Sequence, residues 1–577
     1  MFKLLSYLKG YRIKTVLGPI FKLVEAVLEL IVPLVVADII DEAIPLGEQG
    51  DYSLLIRYGI YMFLLAAVGL GFALVAQFFA SRASMGFGTN LRRGLYSHIN
   101  TLSQTDIDKI GAPSLMTRLV GDTTQCEQGV AMFIRLVTRA PFMVIGSIIM
   151  AMTIDVNLSL VFIGASILIS VLLYFIMSHT FRAYGTARSS LDDVALSVRE
   201  NLSGTRVIRA FSRSRREKEE FYAKNDKLTK IPVSIGKISN FTNPATYVII
   251  NVAIILILWL GGKEVYYGAL KQGQIIALVN YLTQIMLALT VLANLVVSFS
   301  RASASAKRIN EVFALPAARS GGDGAEADYS APAISVENLD FSYAGTSKNT
   351  LSGISFELLK GQTLGIVGGT GSGKSTLVQL IAGLYTAPRG TIKLFGKDGD
   401  DYTAEQKNNM IGFAMQKSVL FSGSLRDNML WRDGSATTED IVKALKTAQA
   451  YDFVMQKQGG LDMVVREGGG NLSGGQKQRL NIARALVGGP DILILDDSSS
   501  ALDFATDAAL RAAIKRDCEG MTVVVISQRA TSMQAMDLIL VMDDGKVVGK
   551  GTHEQLLKSC TEYREIYNSQ VAEEDRV

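Results

Sequence analysis

Residues Gly368-Gly369-Thr370-Gly371-Ser372-Gly373-Lys374-Ser375-Thr376 bring glycines, one lysine and two hydroxyls together in the pattern GxxxxGK[ST]. Glycines let a backbone curl around a phosphate chain so that its N–H groups and a helix N-terminus face the negative charge. Lys374 is spaced to reach β- and γ-phosphate oxygens, and the Ser375 hydroxyl to ligate Mg²⁺. The elements that must position this loop are visible on either side. Gln362 to Val367 is a short apolar run that reads as a buried strand, and Leu377 to Leu384 has a helical apolar pattern. Further along, Ile492 to Leu495 is continuously apolar, as for a central parallel strand buried on both faces. It ends in two carboxylates, Asp496 and Asp497, and the first is placed to hold the Mg²⁺ directly or through water.

Between these constellations lies Leu472-Ser473-Gly474-Gly475-Gln476. With the glycine loop and the carboxylate-ending strand, it resembles the signature, Walker A and Walker B motifs of the ATP-binding cassette (ABC) family. The resemblance implies ATP and Mg²⁺ as cofactors. It matches Gln416, after MIGFAM, to the glutamine that senses Mg²⁺ and the transmembrane domain. Tyr343, in DFSY, matches the aromatic that stacks on adenine, and Asp503 the D-loop. In this family two cassettes dimerise head to tail. Ser473, Gly474, Gly475 and Gln476 would therefore contact ATP held on a partner.

Two positions depart from the family pattern. Asp497 stands where a glutamate normally acts as general base, so its carboxylate is retracted by about one C–C bond; misplacement on the order of 1 Å can cost roughly a hundredfold in rate. Gln528, in VVVISQR, stands where a switch histidine normally contacts the γ-phosphate and the catalytic water. Glutamine can donate a hydrogen bond there but cannot carry charge or relay a proton. Beside an intact signature, both departures match one half of the asymmetric bacterial heterodimers. The partner they imply is a different chain that carries the consensus glutamate and histidine.

The 577 residues are 49% hydrophobic with mean hydropathy +0.26, too apolar for an ordinary soluble enzyme of this length. Six spans are expected at about 16–40, 56–80, 132–154, 157–177, 243–262 and 274–298, each near the ~20 residues a bilayer requires. The first is too late and too long for a signal peptide. Arginine-rich stretches follow the second and fourth spans, whereas Asp41 to Asp51 is mainly acidic, so both chain ends are expected in the cytoplasm of a bacterial cell. Three cysteines without pairing or metal spacing fit a reducing compartment. The long basic extensions resemble the exporter type of transmembrane domain, with coupling helices expected near Ser103–Asp108 and Gly204–Phe211.

The expected fold is an all-α six-helix transmembrane domain (1–316), a small, acidic linker (317–333) and an α/β P-loop nucleotide-binding domain with an antiparallel β subdomain (334–571), ending in a tail at 572–577. One cassette per chain makes this half of a transporter. In the first span Lys22, Glu25 and Glu29 share one helical face. Ionisable groups at membrane depth usually line a cavity. Either Lys22 and Glu25 satisfy each other with Glu29 solvated, or the cluster contacts cationic substrates, or it couples protons. Partners are thus the second half-transporter, the lipid bilayer and a small hydrophobic or cationic amphipathic substrate, with no nucleic acid. A lipid or peptide exporter, an exporter-shaped importer and a regulatory ATP-sensing subunit share these motifs.

Overall fold

The computed structural model describes residues 2–318, 322–346, 348–498, 500–527 and 530–574. The chain divides into two compact units, Met1–Ile99 with Pro113–Ala314, and Asn100–Ala112 with Leu315–Val577.

The first unit is helical. Its principal helices are α1 (Arg12–Asp38), α2 (Ser53–Ile99), then, beyond the inserted helix α3 (Gln104–Ile110) of the second unit and a run of shorter helical segments, α4 (Arg139–Ile154), α5 (Val156–Ser203), α6 (Thr205–Ala210), α7 (Ser214–Asn240), α8 (Thr242–Tyr266) and α9 (Gln272–Phe313). At 47 residues, α2 is about 70 Å long, more than twice the ~30 Å hydrocarbon thickness, so it crosses and continues as an aqueous extension. Asp155 turns the chain between α4 and α5 by accepting the Leu158 N–H at 2.7 Å, as an N-cap. The fully buried Tyr281 of α9 donates its hydroxyl to the Leu30 carbonyl of α1 at 2.6 Å, which satisfies a polar group in an apolar bundle.

Among the described residues, five helical segments are long and apolar enough to cross a membrane, not six: Ser53–Ile99, Ala112–Ile154, Val156–Thr180, Ser214–Tyr266 and Gln272–Phe313. The first expected span does fold as a helix, α1, of 27 residues. It falls short in apolarity because Lys22, Glu25 and Glu29 sit in its middle. Those charges are compensated. Lys22 Nζ lies 2.6 Å from Glu25, and Glu29 pairs at 2.6 Å with Arg139 of α4, whose guanidinium also approaches Glu25 at 4.0 Å. Glu29 is therefore ion-paired, not merely solvated.

The second unit is built on two larger sheets and a two-stranded ribbon. Its strands are β1 (Ile334–Phe341), β2 (Leu351–Leu358), β3 (Thr363–Gly368), β4 (Arg389–Leu394), β5 (Lys397–Asp398), β6 (Ile411–Ala414), β7 (Gly423–Ser424), β8 (Val464–Val465), β9 (Ile492–Asp496), β10 (Thr522–Ile526), β11 (Leu538–Asp543) and β12 (Lys546–Gly551). Order β2-β1-β4-β5 makes an antiparallel sheet; order β12-β11-β3-β10-β9-β6 makes the main sheet, parallel except for β12; β7 with β8 makes the ribbon. All five residues of β9 are buried, which explains its unbroken apolar run. Described linker residues run along this unit: the Gly322 and Gly324 N–H groups donate to the Asp400 and Asp401 carbonyls.

Candidate functional site

Strand register brings the chemistry together. β10 lies between β3 and β9, and its last residue, Ile526, is level with Ile366 on one side and Asp496 on the other. The glycine loop after β3, the carboxylates ending β9 and the segment after β10 thus emerge side by side at the carboxyl edge of a parallel sheet, where α/β folds place ligands.

The glycine loop enters α10 (Lys374–Ile381) through Gly373 at φ +96°, where an added Cβ would lie 2.6 Å from Leu351. A Cβ on Gly368 would lie 2.1 Å from the Met542 carbonyl. Only glycine fits both places. Lys374 is buried and donates to the Gly368 and Gly369 carbonyls at 2.9 and 2.7 Å. Burial pushes its ammonium below the ordinary lysine range, against the pull of Asp497 and Asp496. The loop thus carries a desolvated cation held by neutral acceptors, two carbonyls and the Ser372 hydroxyl at 3.4 Å, for which phosphate oxygens are stronger acceptors.

Ser375 donates its hydroxyl to Asp496 Oδ1 at 2.9 Å. Burial raises the Asp496 carboxyl above the usual carboxylate range; the Ser375 bond lowers it, the Asp497 charge raises it and Lys374 lowers it. A buried carboxylate beside a hydroxyl is a hard-oxygen donor pair that fits Mg²⁺, with the Gln416 amide oxygen as a third candidate. Gln416 follows β6 and donates to Asp497 Oδ2 at 3.3 Å. Asp497 itself is buried at φ +46°, with its N–H donated to the Ile526 carbonyl at 3.1 Å. Aspartate tolerates this left-handed conformation better than most residues. Gln528 lies outside the described residues.

Tyr343 is half-buried beside α10. Its hydroxyl bonds to Thr376 Oγ1 at 3.1 Å and to Gln379 Oε1 at 3.3 Å. The ring stands edge-to-face against Phe341 and Tyr385, at 5.0 and 5.4 Å between centroids.

Ser473 caps α11 (Gly474–Leu486): Gln476 donates its N–H to Ser473 Oγ at 3.3 Å, and the Ser473 N–H donates to the Gln476 side chain at 3.1 Å. This leaves the N-terminus of a 13-residue helix exposed, with Gly474 and Gly475 in its first turn. Such a terminus suits an anion. Sequence reading missed the residues that hold this helix in place. Buried Gln478 donates to Ser500 Oγ at 3.2 Å and accepts the Ala501 N–H at 3.0 Å, and Asn481 donates to the Met415 carbonyl at 2.9 Å. Asp503 in turn caps α12 (Phe504–Asp517). Replacing Gln478 with leucine removes two hydrogen bonds, an expected loss of about 1–3 kcal/mol. Thermal unfolding of the full chain checks this, with nucleotide affinity at Lys374 unchanged.

The two halves of this chain match two family models. Residues 15–289 match the ABC transporter transmembrane region, and residues 351–500 match the ABC transporter model. The chain belongs to the ABC transporter family. An uncharacterized ABC transporter ATP-binding protein of Bacillus subtilis (strain 168), YfiB, is 34% identical over 100% of this chain and 99% of its own length. Another such protein from Mycobacterium tuberculosis (strain CDC 1551 / Oshkosh), MT1311, is 34% identical over 98% of this chain and 97% of its own. An ATP-dependent lipid A-core flippase of Vibrio vulnificus (strain YJ016) is 28% identical over 84% of this chain and 83% of its own. A helical transmembrane domain fused to one cassette makes this an ABC exporter half-transporter and a multi-pass membrane protein, which requires a second ABC chain.

Proposed function

We propose that this half-transporter is the degenerate-site subunit of an ATP-driven, heterodimeric exporter of hydrophobic or cationic amphipathic compounds. The observation that carries the reading is Asp497. It directly follows the Mg²⁺-site carboxylate Asp496 and faces Gln416 at 3.3 Å, in a chain whose Ser473–Gln476 helix start is intact and exposed. In this reading ATP is held by residues 368–376, Tyr343 stacks on adenine, and Ser375, Asp496 and Gln416 hold the Mg²⁺, which when bound neutralises phosphate charge. Lys374 fixes the phosphate chain. Asp497 and Gln528 fail to align and activate a water, so hydrolysis here is slow. Ser473, Gly474, Gly475 and Gln476 complete the partner's site, where a consensus glutamate and switch histidine do the work. Cassette closure turns the transmembrane cavity outward, and hydrolysis on the partner resets it. The chain ends and the cassette face the cytoplasm.

For substrate, Glu29 is the informative group, because its side chain is 41% exposed and has one guanidinium partner. A cation can share that carboxylate. A second reading, export of an anionic lipid, is favoured by the relative named a lipid A-core flippase and by Arg139, which offers an anion the other end of the same pair. ATP-dependent uptake of a fluorescent cationic amphiphile, and in parallel translocation of a fluorescent anionic lipid, in inside-out vesicles tests the proposal. Uptake in the native complex is expected to fall at least fivefold with Glu29→Gln and less with Arg139→Gln. Loss confined to Arg139→Gln supports the lipid reading, and no ATP-dependent movement of either probe class argues against export.

A further inference from the structure

The cassette holds a cavity of about 560 Å³ whose described lining includes none of residues 368–376, Asp496 or Asp497. It lies over β10. The floor is Val523 and Val525, two residues apart and so on one face of the strand, with Leu495 of β9 level with Val525. One wall is the row Leu510, Ile514 and Cys518, spaced four apart along α12 and its end. The opposite wall is the segment that carries Ser532 and Met536.

β10 is an interior strand of the main sheet, where both faces are ordinarily covered. Over the neighbouring β3 the cover is tight. A Cβ on Gly365, which is level with Val525, would lie 2.5 Å from Met533 Sδ. Over β10 it is not, and Val525 is left only half-buried. The cavity is thus a seam between two apolar clusters, one around α12 and one around Met533, and Val525 borders both. Close-packed interiors seldom leave such a volume unfilled.

Polarity inside the seam is sparse. Ser532 is 4% exposed, and its hydroxyl has no hydrogen-bond partner among the described residues. A buried hydroxyl left unsatisfied calls for a partner that is not part of the fold. Asp507, equally buried, is ion-paired with Arg511 at 2.8 Å, so that end of the cavity carries no net charge. Lys515, Glu519, Gln534 and Asp537 are exposed at the rim. An apolar chamber of this size, with one convergent hydroxyl and a polar rim, is built as a small-molecule site is built.

We propose that this cavity is a second ligand site of the chain, separate from the nucleotide site, for an uncharged, largely apolar compound of drug size that carries one hydrogen-bond acceptor. The apolar body lies between Val525 and the Leu510–Ile514 row, and the acceptor receives the Ser532 hydroxyl. The site depends on neither the substrate nor the heterodimer reading above.

Disulfide capture at Cys518, on the full-length protein in lipid nanodiscs, tests this. Cys126 and Cys560 are buried, so Cys518 is the thiol that reports. Burial pushes that thiol up and slows its attack, so exchange is run to equilibrium against 2-mercaptoethanol and adducts are counted by intact mass. The probes are diphenethyl disulfide and bis(2-hydroxyethyl) disulfide. Glu405→Cys in a Cys518→Ser background places the thiol on the exposed face of another helix (Ala404–Met410) and gives the ratio without a cavity. Relative to that reference, Cys518 is expected to favour the phenethyl adduct about tenfold, as burial of one ring predicts. Val525→Phe, which fills the seam, should abolish the preference. Excess acetophenone, a neutral ring with one acceptor, should suppress phenethyl capture at Cys518 and not at position 405, and Ser532→Ala should weaken that competition about fivefold. Equal ratios at the two positions overturn the proposal, as does a preference that acetophenone leaves untouched. Competition unchanged in Ser532→Ala overturns the role given to its hydroxyl.

Discussion

Substituting glutamate for Asp497 together with histidine for Gln528 is expected to raise ATP turnover at this chain's own site by about tenfold to a hundredfold. The reason is geometric. The residue after Asp496 is anchored by its backbone, with its N–H on the Ile526 carbonyl and its φ at +46°, so one added methylene extends the carboxylate outward without moving the chain. Gln416 already donates to the Asp497 carboxylate. In the proposed site, histidine at 528 would restore a group able to carry charge toward the γ-phosphate. Glutamate is less tolerant than aspartate of the left-handed backbone, so a stability loss of roughly 1 kcal/mol accompanies the gain. The measurement is the conversion of labelled ATP to ADP while photo-crosslinkable nucleotide stays on this chain. An unchanged rate with nucleotide demonstrably bound would contradict the base-position explanation.

The second large effect separates the two surfaces of the cassette. Lys374→Ala removes the buried ammonium of the glycine loop and leaves the Gly368 and Gly369 carbonyls without that donor. Charge-assisted hydrogen bonds contribute about 1.5–3 kcal/mol each, so nucleotide affinity at this chain should weaken on the order of tenfold to a hundredfold, and transport should be lost. Ser473→Ala acts elsewhere. It deletes the α11 cap, worth about 1 kcal/mol, at a helix start that faces away from this chain's own nucleotide contacts in the proposed assembly. Nucleotide on this chain should survive that change, while hydrolysis by the complex and vesicle transport collapse. Photo-crosslinking of nucleotide to each subunit, beside phosphate release, distinguishes the two variants. Equal loss of nucleotide from this chain in both would mean that the signature serves its own site.

What the sequence made legible is what local pattern encodes. The GxxxxGK[ST] loop, the buried strand Ile492–Asp496 and the later membrane helices declare themselves because each depends on neighbours within a few residues. The first helix was less legible. Its apolar stretch reads as a span, but whether Lys22, Glu25 and Glu29 are tolerated depends on Arg139, which is 110 residues from Glu29. The supports of the site were invisible for the same reason. Gln478 and Asn481 read as polar residues on a helix, and only tertiary packing buries them against residues 500–501 and Met415. Tyr385 looked like any aromatic after a helix until the fold set it between Tyr343 and Asp108. The family resemblance places a coupling helix near Ser103–Asp108, and Asn100–Ala112 does fold in one unit with the cassette.

The asymmetry proposed for this transporter is tested most directly by the native mass of the complex, extracted gently from its own membrane with this chain tagged. A heterodimer predicts one 62.5 kDa chain with a second, distinct subunit of similar mass, whose sequence carries glutamate and histidine at the two positions that are Asp497 and Gln528 here. A complex of two identical 62.5 kDa chains would place Asp497 and Gln528 in both sites, and the asymmetric mechanism would be wrong.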